Sequence, residues 1–306
     1  MLICAQVVLA DPKSHFSRAD LALAPTTRPP GSNTVGMVAW RATLRTPDAP
    51  AGRRAVVVAN DITFQSGAFG PMEDAVFRAA VEEALRERCP VLYVAANAGA
   101  RVGLASEVRN RLRVQWAADA DGAVRGPDYL YLTEADYEAL EAASPGSVQV
   151  TRVERPSGEV RYRLQAVVGA EEGLGVECLS GSGAIASAFS RAWDEGVTFT
   201  LVTGRTVGIG AYLARLGRRC IQRADQPIIL TGHQALNKLL QRQVYDSNLQ
   251  LGGPKIMGTN GVSNHVVGDD VRGVITFLKW LSFVPCQAGA APLPVPTSDP
   301  GVRGAA

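Results

Sequence analysis

The chain has 306 residues, 46% of them hydrophobic and 20% charged, an ordinary balance for a globular protein with room for a sizeable core. Lys and Arg number 31 against 29 for Asp and Glu, so no surplus of positive charge points to nucleic acid or to an anionic membrane. The five cysteines (Cys4, Cys89, Cys178, Cys220, Cys286) are scattered and never spaced as CxxC, and the three histidines fall outside any ligand spacing, which argues against a disulfide framework and a zinc site and for a reducing compartment. No apolar run approaches the roughly 20 residues of a membrane span.

The amino end, MLICAQVVLADPKSHF, has a short apolar start without a basic leader or cleavage site and reads as a strand. It belongs to an entry segment, residues 1–52, which turns rich in Pro, Thr, Gly and Arg from residue 24 and holds one extended stretch, GMVAWRATLRT. The globular body follows at 53–286. RAVVVAND is a buried strand, and PMEDAVFRAAVEEALRERC a helix with Pro71 near its first turn and acids after it. PVLYVAAN is the next buried strand. After GARVG a helix carrying Arg109, Arg111 and Arg113 is expected. TEADYEALEAA opens with a capping-box pattern, Thr133 to Asp136. QVTRVERPSGEVRYRLQAV is an alternating hairpin turning at Pro156, Ser157 and Gly158. Then come a helix (SGAIASAFSRAWDEG), a strand (VTFTLVTG), a helix (TVGIGAYLARLG), a strand (QPIILTG) and a closing helix, DDVRGVITFLKWLSFVP, stopped by Pro285. Residues 287–306 are rich in proline and alanine and have linker composition. Strands alternating with helices predict an α/β layered fold with parallel pairing.

Three glycine-bearing junctions follow apolar strands: NDITFQSGAFGP, ANAGARVG and TGRTVGIG. The third fails as a dinucleotide fingerprint, because Leu213 stands where a third glycine belongs, and no P-loop pattern occurs. Two backbone N–H groups, one from each of two strand-to-helix turns, can converge on one carbonyl oxygen as an oxyanion hole, with glycine letting the backbone come close. The plainer alternative is that these glycines only make tight turns and close helix–sheet contacts. Arg205 directly follows LVTG, at a helix start where the dipole disfavours a cation. It is either a carboxylate clamp, for which the guanidinium fork is suited, or a surface arginine that swings into water. His233 reads as a surface histidine.

At these residues the sequence resembles the carboxyltransferase domain of eukaryotic-type multidomain acetyl-CoA carboxylase, in its N-terminal half, and is most similar to the plant-type versions. The resemblance is carried in order by GMVAW, NDITFQSGAFGPMEDAVF, LYVAANAGARVGLASEV, YLYLTEADY, VVGAEEGLGVECLSGSGAIASAFSRAW, VTFTLVTGRTVGIGAYLARLG, QPIILTGHQALNKLL, QVYDSNLQLGGPKIMGTNGVSNHVVGDD and FLKWLSFVP, over roughly residues 29–286. It implies an α/β crotonase-like (ClpP/crotonase) superhelix of repeated ββα units that binds acyl-CoA. It implies transfer of CO2 from carboxybiotin to acetyl-CoA, giving malonyl-CoA for fatty acid synthesis, with a biotin ring nitrogen as the base.

By the same resemblance, Arg205 recognises the substrate carboxylate. The Gly208 N–H is a candidate oxyanion donor, and Gly99 and Ala100 supply the second. Tyr212 lines the site, and Leu179 lines the pocket used by carboxyltransferase-directed herbicides. Arg101 either places CoA phosphates or forms a salt bridge at a helix start. No metal is implied. Biotin would be carried on a separate domain, coenzyme A would arrive as part of the substrate, and ATP would be used only at a biotin carboxylase domain. The implied partners are the C-terminal half of the carboxyltransferase, the biotin carrier and a second copy in a homodimer, in the cytoplasm or a plastid; no transit peptide is visible. The chain is then expected to hold half an active site, as a gene-model fragment or one piece of a split enzyme, and to be inactive alone. Two alternatives remain: a non-catalytic acyl-CoA-binding module, and a carboxyltransferase for another acyl-CoA such as propionyl-CoA. One departure stands out. The family usually reads LGREVY where this chain has LQRQVY, with Gln241 and Gln243.

Overall fold

β-branched runs become strands here, and four of the helices start where a capping side chain or Pro relieves the first free N–H groups. The computed structural model describes residues 2–10, 21–29, 31–101, 105–119, 121–167, 177–286 and 289–290. β1 (Leu2–Leu9), β2 (Leu23–Pro25), β3 (Met37–Thr46) and β4 (Ala49–Asn60) lead into α1 (Pro71–Arg86). β5 (Val91–Ala95) and the one-turn α2 (Ser106–Arg109) precede β6 (Arg113–Ala118), β7 (Val124–Thr133), α3 (Glu134–Ala143), β8 (Val148–Glu154) and β9 (Val160–Val167). Next come α4 (Glu177–Glu195), β10 (Thr198–Val202), β11 (Thr206–Val207), α5 (Ile209–Leu216), β12 (Arg219–Arg223) and β13 (Ile228–Ile229). The chain continues through α6 (His233–Leu240), α7 (Leu249–Gly252), α8 (Pro254–Met257), β14 (His265–Val267) and α9 (Asp270–Leu281).

Eight strands form one sheet in the order β14-β12-β10-β5-β4-β3-β1-β2. Pairing is parallel from β4 to β14 and antiparallel from β4 to β2. The antiparallel β3–β4 pair follows from the two-residue link between Thr46 and Ala49, which can only join antiparallel neighbours. The sheet is continuous across residues 52 and 53, since β3 pairs with β4 along its length. β11 and β13 make a small parallel sheet of their own. So β10–β11–α5 and β12–β13–α6 repeat one order: a long-sheet strand, a short strand in the small sheet, then a helix.

The two faces of the long sheet carry different cores. On one, Phe77 of α1, Tyr93 of β5 and Phe189 of α4 meet edge to face, with centroids 5.2–6.3 Å apart. On the other, Phe277 and Leu281 of α9 cover Phe199 and Leu201 of β10. A third core belongs to an insertion between β5 and α4. Its sheet, β6-β7-β9-β8, packs with α3 around Leu132, Leu140, Val148 and Val167. Thr133 caps α3 as read, with the Asp136 N–H donating to Thr133 Oγ1 at 3.2 Å, while the Asp136 carboxylate accepts from the Thr133 hydroxyl at 2.7 Å in place of the Thr133 N–H.

The helix expected to carry Arg109, Arg111 and Arg113 is corrected. Only residues Ser106–Arg109 are helical, and Arg113 opens β6 opposite Tyr131 of β7. Pairing with β7 outweighs the local helical pattern, as tertiary context does for short polar segments. QPIILTG keeps only two strand residues, Ile228–Ile229. The expected linker at 287–306 lies outside the described residues except for 289–290.

Candidate active site

β4, β5 and β10 run parallel and end side by side, so the turns that leave them share one edge of the sheet. Ligands favour this edge of parallel sheets. The turns after β5 and β10 touch through two glycines with left-handed backbones, Gly99 (φ +82°) and Gly208 (φ +55°). A Cβ on Gly99 would lie 3.1 Å from the Val207 carbonyl, and one on Gly208 would lie 3.9 Å from the Gly99 Cα. Both positions require glycine for conformation, and Gly99 for close approach as well.

The structure places the free donors one residue beyond the two glycines. The Gly208 N–H, expected to serve as an oxyanion donor, donates to the Ile229 carbonyl at 2.9 Å, extending the β11–β13 ladder by one rung. The Gly99 N–H donates to Asn97 Oδ1 at 3.1 Å. Ala100 sits in an isolated bridge with Phe69. There the Phe69 N–H reaches the Gly99 carbonyl and the Arg101 N–H reaches the Phe69 carbonyl, both at 2.8 Å. That leaves the Ala100 N–H without a partner among the described residues, as are the N–H groups of Ile209 and Gly210 that open α5. A helix start carries partial positive charge as well as free donors.

Arg205 is exposed, and its guanidinium has no hydrogen-bond or ion-pair partner among the described residues. Its carbonyl accepts the Asn97 N–H at 2.7 Å, which fixes the backbone from which the side chain projects. Tyr212 lies on the first turn of α5 and is 57% exposed. Leu230, exposed and directly after β13, stands beside Gly208. Leu179 is in the first turn of α4, and its side chain lies outside the described residues. Residues 97–101 and 204–212 contain no carboxylate and no histidine; the nearest acid on this edge is Asp61, directly after β4, which accepts from Asn33 and Thr63.

Arg101 takes the salt-bridge arrangement. Its guanidinium pairs with Glu73, 1% exposed, at 2.6 Å, and Glu73 also accepts the Gly36 N–H at 2.8 Å. The next residue, Asp74, is buried and its carboxyl oxygens find no hydrogen-bond partner among the described residues. Burial pushes its carboxyl well above the usual carboxylate range, the Glu73 charge adds to the push, and Arg101 opposes it. The carboxyl stays protonated in the fold at pH values where the unfolded chain has already lost that proton. Stability therefore falls as pH rises above about 4. Asp74→Asn removes this term, so its melting temperature should exceed that of the parent at pH 7, with the gap closing towards pH 4. A gap that does not change with pH would contradict a protonated Asp74.

Sequence reasoning missed Asn97. It is 2% exposed, and its side chain bonds to both glycine turns. A polar residue at the end of a buried apolar strand, set among alanines and glycines, was the available signal. The Gln241 and Gln243 departures are absorbed locally. Gln241 caps α6 in the left-handed region (φ +53°), and Gln243 Oε1 accepts from Asn237 Nδ2 at 2.8 Å. A non-glycine residue there costs about 1–2 kcal/mol, partly offset by the greater freedom of glycine in the unfolded chain. Gln241→Gly should thus stabilise by about 0.5–1 kcal/mol, read as a higher urea midpoint with an unchanged slope. A lower midpoint would mean that the side chain contributes more than its backbone costs.

A family model described as the carboxyl transferase domain matches residues 47–305, and the chain belongs to that family. Among curated proteins it is 56% identical over 277 residues to acetyl-CoA carboxylase 2 of Oryza sativa subsp. japonica, covering 90% of this chain and 12% of that protein. It is 54% identical over 276 residues to acetyl-CoA carboxylase 2 of Arabidopsis thaliana, covering 90% of this chain and 11% of that protein. The chain thus spans about an eighth of the length of these relatives. Among solved structures it resembles the transcarboxylase 12S crystallised with methylmalonyl-coenzyme A and methylmalonic acid bound. The TM-score is 0.56 at 19% identity, over 88% of this chain and 38% of that one. At that identity the likeness bears on the fold, which is crotonase-like, as the resemblance implied.

Proposed function

We propose that this chain forms the acyl-CoA side of an acetyl-CoA carboxyltransferase, which moves a carboxyl group from biotin to acetyl-CoA to give malonyl-CoA. The observation that carries this reading is an unpaired, exposed Arg205 beside two turns with free N–H groups at Ala100, Ile209 and Gly210. The Ala100 N–H and a donor at the start of α5 hold the thioester oxygen as it takes on charge during loss of the α-proton. Arg205 pairs with the carboxylate that appears on the acyl group, and Tyr212 lines the entrance. Arg101 we assign to its pair with Glu73. Biotin, when bound, would supply both the carboxyl group and the base, which suits two donor turns whose own residues include no carboxylate or histidine.

The rest of the carboxyltransferase and the biotin carrier are the partners we propose, in the cytoplasm or a plastid. Val271, Val274 and Ile275 support this: they leave an exposed apolar stripe on α9 at i, i+3, i+4 spacing. No helix among the described residues is long and apolar enough to cross a membrane.

The test is a chimera in which residues 29–286 replace the matching segment of the rice relative. Malonyl-CoA formation by the chimera supports the reading. Binding of acetyl-CoA without turnover would favour a non-catalytic acyl-CoA-binding module, and faster turnover of propionyl-CoA would change the substrate.

A further inference from the structure

We propose that Asn97 is the positioning residue that sets the spacing of the two donor turns, through a single carboxamide oxygen that both turns share. The proposal rests on the carboxyltransferase reading above. Asn97 Oδ1 accepts the Gly99 N–H of its own turn and the Val207 N–H of the turn before α5, each at 3.1 Å. The second of these partners is 110 residues away in sequence. The Asn97 backbone N–H adds a third tie, to the Arg205 carbonyl at 2.7 Å. One residue therefore joins the segment with the Ala100 donor, the backbone of the carboxylate clamp, and the turn that delivers Ile209 and Gly210.

The other end of the carboxamide fixes which way it points. Asn97 Nδ2 donates to the Tyr93 hydroxyl at 3.1 Å and lies 3.4 Å from Asn60 Oδ1. The Tyr93 hydroxyl in turn donates to Asn60 Oδ1 at 2.7 Å, and Asn60 Nδ2 donates to the Gly67 carbonyl at 3.1 Å. A flipped amide would set Nδ2 against two N–H donors and Oδ1 against an acceptor, so only one orientation satisfies every group. The network also reaches the core, because the Tyr93 ring belongs to the Phe77–Tyr93–Phe189 cluster. The third side is closed by Gly210, where a Cβ would overlap the Asn97 carboxamide.

The chemistry favours asparagine over its near relatives. An aspartate would keep an acceptor for both turns but would lose the donor to Tyr93, and it would put a negative charge under a site built for an anion. Alanine would leave the buried Gly99 N–H and the part-buried Val207 N–H without their acceptor. A neutral side chain with one acceptor and one donor end meets both demands.

The test uses the rice chimera with Asn97→Ala and, separately, Tyr93→Phe, which removes no bond to the Gly99 or Val207 N–H but loosens the far end of the carboxamide. For Asn97→Ala, kcat should fall about tenfold to a hundredfold, the scale of an oxyanion donor displaced by a fraction of an ångström, with KM for acetyl-CoA within about threefold. Tyr93→Phe should lower kcat by about threefold to tenfold in the same pattern. Hydrogen exchange should rise together in segments 97–101 and 205–211. The inference is overturned if either variant folds and keeps kcat within about twofold. It is equally overturned if exchange rises in one turn and not the other. A parent chimera without turnover would defeat the carboxyltransferase reading alone, because coupled exchange in the two turns still decides the role of Asn97.

Discussion

Arg205→Ser in the chimera should raise the KM for malonyl-CoA in the reverse direction about tenfold to more than a hundredfold, while leaving that for acetyl-CoA nearly unchanged. Only malonyl-CoA carries the carboxylate, and a hydrogen bond to a charged group is worth roughly 1.5–3 kcal/mol. The melting temperature should not move, because the Arg205 side chain has no partner among the described residues to lose, and substitutions at such positions cost within about 0.5 kcal/mol. Arg205→Lys should rescue only in part, since a point charge lacks the planar fork that matches a carboxylate. The comparison of two substrates on one variant decides the matter. Equal losses for both, or a lower melting temperature, would return Arg205 to a surface or structural role.

Gly210→Ala should be the most destabilising small change in the site. The added Cβ would fall on the Asn97 carboxamide, which cannot swing aside because both of its ends are hydrogen-bonded. Overpacking of this kind costs about 2–3 kcal/mol, or roughly 5–10 °C in melting temperature for a domain of this size. The cause can be isolated with Asn97→Ala in the same chain. Removing the carboxamide makes room for the new methyl, so the double variant should lose clearly less than the sum of the two single losses. Strict additivity would mean that the strain at residue 210 comes from somewhere other than Asn97.

Some of this was legible in the sequence, and the reasons differ by element. β5 and β10 are buried on both faces and read as short runs of apolar and β-branched residues, so periodicity alone identifies them. α3 announces itself through Thr133 and Asp136, and the β8–β9 hairpin through Gly158 in its turn. β11 is a two-residue strand held by pairing with β13 and no local pattern marks it, whereas β13 is the part of the expected QPIILTG strand that finds a partner. Arg113 reads as helix in the sequence but opens β6, because its ladder partner supplies what the local residues do not. In the site, Gly99 and Gly208 were legible as turn glycines. Which N–H groups they leave free was not, because the Gly208 N–H is taken by Ile229 across the small sheet. Asn97 escaped for the same reason, since its main partner lies on the far side of the insertion.

That insertion bears on how the long sheet assembles. β5 and β10 are neighbours, yet about a hundred residues separate them, against roughly a dozen for a minimal parallel crossover. Loop-closure entropy grows with the logarithm of length, so three doublings add about 2 kcal/mol to the cost of bringing the two strands together. A subdomain that has already collapsed around Leu132 and Leu140 shortens the effective tether and offsets part of that cost. The insertion's four-stranded sheet and the long one are thereby coupled in time. The pairing of β5 with β10 that brings both donor turns to one edge becomes easier once the insertion between them has folded.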